Sequence, residues 1–304
     1  MADKQKHIPV MLNEVLENLK PADGKVYVDA TFGNGGYSEA ILQAAKCKVI
    51  AIDRDPNVKA RAEEFKDLYG NRFEFRAGQF GDFAEIISEP VDGAVFDIGV
   101  SSMQLDESER GFSFAKDAPL DMRMSCEGTS AADIVNTYAE KELADLIYKY
   151  GEERKSRQIA AKIAAYRTSK KIETTKELAE IIYTVIHKIP NTIDPATRTF
   201  QALRIAVNNE LGELENGLEG AVSRLNPQGR LVVVSFHSLE DRIVKNFFNE
   251  KAGKSRSVSR YMPEILSDKE STLSERSKAI IPSQEEILRN PRSRSAKLRF
   301  AVKM

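Results

Sequence analysis

The chain has 304 residues, 41% of them hydrophobic, which is more than one typical domain needs and enough for a sizeable core. Its formal net charge of −1 excludes a global field that draws in nucleic acid, although a local basic face would serve. Two cysteines far apart (Cys47, Cys126) and only three histidines argue against a disulfide framework or a metal site, and a reducing cytosol fits.

In chain order, the start lacks the apolar run of a signal peptide. No later stretch approaches the roughly 18 consecutive apolar residues of a membrane span, so a cytoplasmic protein without a membrane partner is expected. Val26–Val28 is a short apolar strand running into Asp29-Ala-Thr-Phe-Gly-Asn-Gly-Gly36. A helix follows from Ser38, then a second buried strand, Val49–Ile52, ending in Asp53. Pro56 suits the first turn of a helix reaching Tyr69, with Gly70 as its stop. Phe73–Arg76 alternates like a third strand, and Val91–Phe96 is a fourth, ending at Asp97. Strands alternating with helices predict an α/β fold with a parallel, doubly wound sheet.

The alternation stops near Gly111 and the chain reads as helix to Asn208. Thr137-Tyr-Ala-Glu140 and Thr174-Thr-Lys-Glu177 have the spacing of capping boxes. The strand pattern returns at Arg230–Phe236, and Leu298–Val302 supplies a last strand. Between them, 251–276 is polar and aperiodic and reads as a mobile loop. The expected organisation is one discontinuous α/β domain, 1–110 and 209–304, with a helical domain, 111–208, inserted.

Glycines at 33 and 35 let the backbone turn tightly where a ligand lies close. Free N–H groups at the following helix start favour polar or negative ligand atoms. A nicotinamide fingerprint wants a third glycine where this chain has Ser38. Asp29 before the loop suits the ammonium of a methionine moiety better than a pyrophosphate. Asp53 is placed to accept two ribose hydroxyls, and Gly78-Gln-Phe80 follows the third strand where an adenine would lie, so Phe80 could cover the base. S-adenosylmethionine is the leading cofactor. A dinucleotide, or a plain turn with Asp53 as a helix cap, are the alternatives.

Nearly end to end, the chain resembles the bacterial RsmH (MraW) family. The blocks that carry the resemblance include His7-Ile-Pro-Val10, Asp97-Ile-Gly-Val-Ser-Ser-Met-Gln104, Glu109-Arg-Gly-Phe-Ser-Phe114 and Pro119-Leu-Asp-Met-Arg-Met124. They continue through Tyr150-Gly-Glu-Glu-Arg154, Pro195-Ala-Thr-Arg-Thr-Phe-Gln-Ala202, Ser235-Phe-His-Ser-Leu-Glu-Asp-Arg242 and Asn290-Pro-Arg-Ser-Arg-Ser295. The resemblance implies a Rossmann-like class I methyltransferase sheet with an inserted helical domain that helps recognise RNA. It implies methylation of the exocyclic N4 of a 16S ribosomal RNA cytidine in the decoding-centre region of the small subunit. It also implies cofactor contacts from Gly35, Gly36, Tyr37, Asp53, Phe80, Asp97 and Gln104. Where the family usually carries histidine, this chain has Tyr37.

The sulfonium already activates the methyl group, so the protein must align nitrogen, methyl and sulfur and exclude water. Asp97 is the first candidate for orienting the N4 amino group and taking its proton. His237, after the apolar strand, is the second, with a structural role as its alternative and Ser238 as the expected cap of the next helix. The target base must be splayed out. Phe112 and Phe114 could stack on it, or pack against the insert. Arg154, Lys155, Arg157, Lys162, Arg167, Lys170 and Lys171, with Arg289, Arg292, Arg294 and Lys297, are the expected phosphate contacts, unless they are plain solvated faces. The oligomeric state stays open, a homodimer included.

Overall fold

The computed structural model describes residues 9–99, 107–190, 192–253 and 271–304. The chain divides into two compact units, Met1–Gly99 with Leu211–Met304, and Val100–Glu210. The second unit is bounded earlier on its N-terminal side than the 111–208 read from the sequence.

In the first unit, α1 (Leu12–Leu19) precedes β1 (Val26–Asp29), α2 (Gly36–Ala44), β2 (Lys48–Asp53), α3 (Lys59–Tyr69) and β3 (Phe73–Ala77). The short α4 (Phe83–Ile86) leads to β4 (Val91–Asp97). The seven-stranded sheet has the order β3-β2-β1-β4-β5-β7-β6, where β5 is Leu225–Ser235, β6 Leu273–Arg276 and β7 Lys297–Lys303. Strands β1 to β5 pair in parallel, while β7 is antiparallel to both β5 and β6. The sheet is the Rossmann-like class I methyltransferase sheet that the resemblance implies. The antiparallel seventh strand separates it from an all-parallel dinucleotide-binding sheet.

The central strands are apolar because both of their faces are covered. Ile50, Ile52, Ala94, Phe96, Leu231 and Val233 alternate onto one face. There they meet Phe83 and residues of α10 (Glu210–Arg224) and α11 (Ser238–Lys251). The intervening Val49, Ala51, Val95, Val232 and Val234 are equally buried. After β1 the chain winds outward through β2 and β3, then crosses back to β4 on the other side of β1. That reversal opens a crevice at the carboxyl ends of β1 and β4, where open α/β sheets bind ligands.

The second unit is built from α5 (Ala131–Thr137), α6 (Glu140–Gly151), α7 (Ser156–Arg167), α8 (Thr175–Tyr183) and α9 (Ala196–Asn208). Leu143, Ile147, Ile159, Ile163, Leu178 and Leu203 meet in its core at helical spacing. The box at Thr174 and Glu177 forms as its spacing predicts. The one read at Thr137 does not. Thr137 is the last residue of α5, and Glu142 instead reaches back to the Ala139 N–H at the start of α6.

Two other expectations change. The segment read as a loop over 251–276 contains β6, whose four residues are too short and too polar to give a strand pattern. Residues 254–270 of that loop lie outside the described residues. The helix after Pro56 opens as a 3-10 turn, Pro56–Val58, capped by the Asp55 side chain.

Candidate functional site

The glycine loop is threaded between two strand ends. The Ala30 N–H donates to the Val95 carbonyl at 2.9 Å and the Phe32 N–H to the Ile52 carbonyl at 2.9 Å. Gly33 and Gly35 have φ of 50° and 80°, the left-handed region where glycine is unstrained. Close approach adds a second constraint. A Cβ on Gly35 would lie 2.5 Å from the Phe65 ring, and one on Gly36 would lie 2.3 Å from the Pro9 ring.

Asp53 closes the loop from β2. Its Oδ2 accepts the Gly33 N–H at 2.7 Å and its Oδ1 accepts the Asp55 N–H at 2.8 Å. Burial raises its pKa against the lowering effect of these two bonds. A carboxylate offers about four lone-pair sites, so two acceptor positions remain beside the loop. The Gly78 N–H donates to the Asp53 carbonyl at 3.0 Å, which ties the β3 loop to the same strand end. Phe80 in that loop is partly buried and meets Phe96 edge-on, with ring centroids 5.8 Å apart.

Asp29 does something the sequence reading did not assign. It is fully buried, and its Oδ2 accepts from the Ser38 backbone N–H at 3.1 Å and the Ser38 hydroxyl at 2.7 Å. Its Oδ1 accepts the Thr31 N–H at 3.3 Å. Burial lifts its pKa to about 6. The carboxylate expected to face an ammonium thus braces the loop from inside. Ser38, standing where a nicotinamide fold has glycine, supplies that brace with its hydroxyl.

Tyr37 is buried, and its O–H donates to the Val10 carbonyl at 2.5 Å. Burial pushes its pKa up, with the Asp97 charge next in weight. Met11, one residue on, donates its N–H to Glu286 Oε1 at 2.5 Å. Together these bonds seat Pro9–Met11 against the start of α2. The Tyr37 hydroxyl therefore lies between the Val10 carbonyl and the Asp97 carboxyl.

Asp97 ends β4 with its backbone N–H donating to Thr31 Oγ1 at 2.8 Å. Its Oδ1 is buried without a hydrogen-bond partner. Burial first, then the charges of Asp29 and Glu240, push its pKa up to about 8. An orphaned buried carboxyl oxygen at a sheet's switch point is a cost that a cationic or N–H-bearing ligand would relieve.

His237 takes the place expected of Ser238. It is the N-cap of α11, with Nδ1 accepting the Glu240 N–H at 3.5 Å. Glu240 Oε2 accepts in return from the Phe236 and His237 N–H groups at 2.8 and 3.2 Å. His237 Nε2 lies 3.0 Å from Glu240 Oε1. The sequence missed Thr31 and Glu240. Thr31 lay inside the glycine motif but carries no pattern that announces a bond to β4, and Glu240 resembled any first-turn acid.

Among the RNA candidates, Phe112 belongs to the core of the second unit, and Phe114 packs edge-on to Phe200 at 4.7 Å. Phe112 is buried, whereas Phe114 is half-buried. Arg154 and Arg157 are exposed, and Arg157 pairs loosely with Asp145 at 3.3 Å. Lys297 pairs with Asp241. Gln104 lies outside the described residues. No helix among the described residues is long and apolar enough to cross a membrane.

A sequence model of the MraW methylase family matches residues 4–304. A ribosomal RNA small subunit methyltransferase H from Rickettsia felis is 54% identical over 303 residues, spanning 99% of each chain. One from Rickettsia massiliae is 55% identical over 300 residues, spanning 98% of each. A third, from Paramagnetospirillum magneticum, is 53% identical over 306 residues, spanning 98% of this chain and 96% of that one.

Proposed function

The chain belongs to the MraW methylase family, and from that premise we propose how its residues carry out methyl transfer. It is an S-adenosylmethionine-dependent methyltransferase of small-subunit ribosomal RNA. We assign the acceptor as the exocyclic N4 of one cytidine in 16S ribosomal RNA, methylated in the cytoplasm. The observation that carries the reading is the pairing of two strand ends. One is a carboxylate bonded to the glycine loop at Gly33, and the other has an unpartnered oxygen at Asp97.

When bound, S-adenosylmethionine supplies a methyl group already activated on a sulfonium. Asp53 accepts the ribose hydroxyls with its two remaining lone-pair sites. Gly35, Gly36 and the backbone of Tyr37 offer the start of α2 to the methionine carboxylate. Phe80 covers the adenine. The Tyr37 side chain, bonded to Val10, holds the N-terminal segment over the loop and excludes water there.

Asp97 is the group we assign to the acceptor amine. The cytosine N4 lone pair is delocalised into the ring, and an acceptor on its N–H turns that lone pair out of plane. Transfer leaves an extra proton on N4, and Asp97 Oδ1 takes it. Its pKa, raised to about 8 in the ligand-free protein, would be lowered by a positive sulfonium beside it, which would leave the carboxylate free to accept that proton near neutral pH. His237 acts through α11, whose first turn it caps, and so positions the end of β5 rather than moving the proton. Arg154 and Arg157 on the second unit contact phosphates.

Mass spectrometry of 16S ribosomal RNA from cells with and without this protein tests the reading. Loss of one N4-methylated cytidine, restored by the wild-type gene but not by Asp97→Asn, is expected. An unchanged modification pattern overturns the substrate, and restoration by Asp97→Asn overturns the role of Asp97.

A further inference from the structure

We propose that Glu213, on α10, is a positioning residue for the adenosyl half of the cofactor site, fixing the Gly78–Gly81 loop so that Phe80 faces the base. This rests on the reading of that site given above.

Three observations meet at one face of α10. Glu213 Oε2 accepts the Gly81 N–H at 3.1 Å, across 132 residues of chain. The Gln79 amide nitrogen, in the orientation that satisfies both of its ends, lies 3.0 Å from Glu213 Oε1 and 3.3 Å from Oε2. Glu213 thus holds the residues on both sides of Phe80. At Gly217 a Cβ would lie 2.7 Å from the Phe80 carbonyl oxygen and 3.0 Å from its ring. At Gly220 a Cβ would lie 2.9 Å from the Ala84 nitrogen.

Positions 213, 217 and 220 fall on one helical stripe. Glycine inside a helix costs about 1 kcal/mol against alanine, so two on one stripe need a reason. The reason is clearance, since α10 must come close enough for Glu213 to reach the loop without a side chain pushing Phe80 aside. Phe96 supports the ring from the sheet side, edge-on. Gly81 completes the fit, because a Cβ there would lie 2.3 Å from Glu213 Oε2 and displace the carboxylate.

The test is calorimetry of the full-length protein with two probes, S-adenosylhomocysteine and 5′-methylthioadenosine, which lacks the amino-acid half. Glu213→Ala is expected to weaken both by about tenfold, the scale of one lost hydrogen bond to a charged group. In activity assays it should raise KM for S-adenosylmethionine while leaving kcat near wild type. Glu213→Gln, whose amide oxygen still accepts from Gly81, should restore binding of both probes. Gly81→Ala gives a second route, weakening both probes in the wild-type background and adding nothing further to Glu213→Ala. Wild-type affinity for methylthioadenosine in both Glu213→Ala and Gly81→Ala overturns the proposal. So does a fall in kcat at unchanged KM, or failure of Gln to restore binding. If the wild type itself binds neither probe, the cofactor reading fails, and the inference with it.

Discussion

Two carboxylates stand at the ends of the parallel strands that flank β1, and their surroundings give them opposite characters. Asp53 on β2 receives two backbone N–H bonds, one from the glycine loop and one from its own turn. Asp97 on β4 has an oxygen with no partner and faces the charges of Asp29 and Glu240. The first is held in place and keeps spare acceptor sites, which suits binding. The second has an unpartnered oxygen and only the Tyr37 hydroxyl to favour its charge, which suits exchanging a proton with whatever enters. Position at a strand end is common to both, so the hydrogen-bond supply decides the role.

The largest expected effect is at Asp97. Asp97→Asn keeps the shape but loses the proton acceptor, and methyl transfer to RNA should fall by about a hundredfold or more. Steady-state assays on ribosomal RNA check this, and wild-type turnover would erase the distinction drawn between the two carboxylates. Asp53→Ala should instead weaken S-adenosylmethionine binding by about a hundredfold, the loss of two bonds to a charged acceptor. Calorimetry reads it, and unchanged affinity would remove Asp53 from the site.

The pH dependence of stability sharpens the contrast. Folding raises the Asp97 pKa from an ordinary 3.8 to about 8, so the folded protein binds that proton more tightly than the unfolded chain. The resulting stability is fully present below pH 3.8 and is lost as pH rises through about 8. Asp29, raised to about 6, loses its share earlier in the same direction. Melting temperature of the ligand-free protein should therefore fall across this range, and Asp97→Asn should flatten the upper part of the fall. Parallel melting curves for the two proteins would contradict the raised pKa. The smallest effect is at Tyr37. Tyr37→Phe removes one buried hydrogen bond and should cost about 1 kcal/mol of stability, with cofactor affinity reduced only a few-fold. A loss as large as that of Asp53→Ala would mean that the hydroxyl touches the cofactor.

Much of this site was legible from the chain because it is local. A strand, two glycines, a helix start and an acid after the next strand lie within 28 residues of one another, Val26 to Asp53, and each has its own backbone reason. Other contacts were not legible, even between residues close in sequence, because spacing does not say which way a side chain turns. Asp29, read as suiting an ammonium, bonds to Ser38, and His237, read as a catalytic candidate with a structural role as its alternative, caps α11 with Glu240. Phe112 and Phe114 were apolar side chains whose exposure no spacing could reveal; Phe112 is buried in the core and Phe114 half-buried against Phe200.

The sequence by itself determined the alternating α/β pattern, the helical insert and the identity of the glycine loop with its acid. These follow from periodicity and from backbone conformations that only certain residues adopt. The tertiary structure alone decided the place of β7 between β5 and β6, the brace from Asp29 to Ser38, the seat of Tyr37 on Val10 and the unpartnered oxygen of Asp97. Each of these depends on which groups are brought within 3 to 4 Å by folding, and on how little water is left between them.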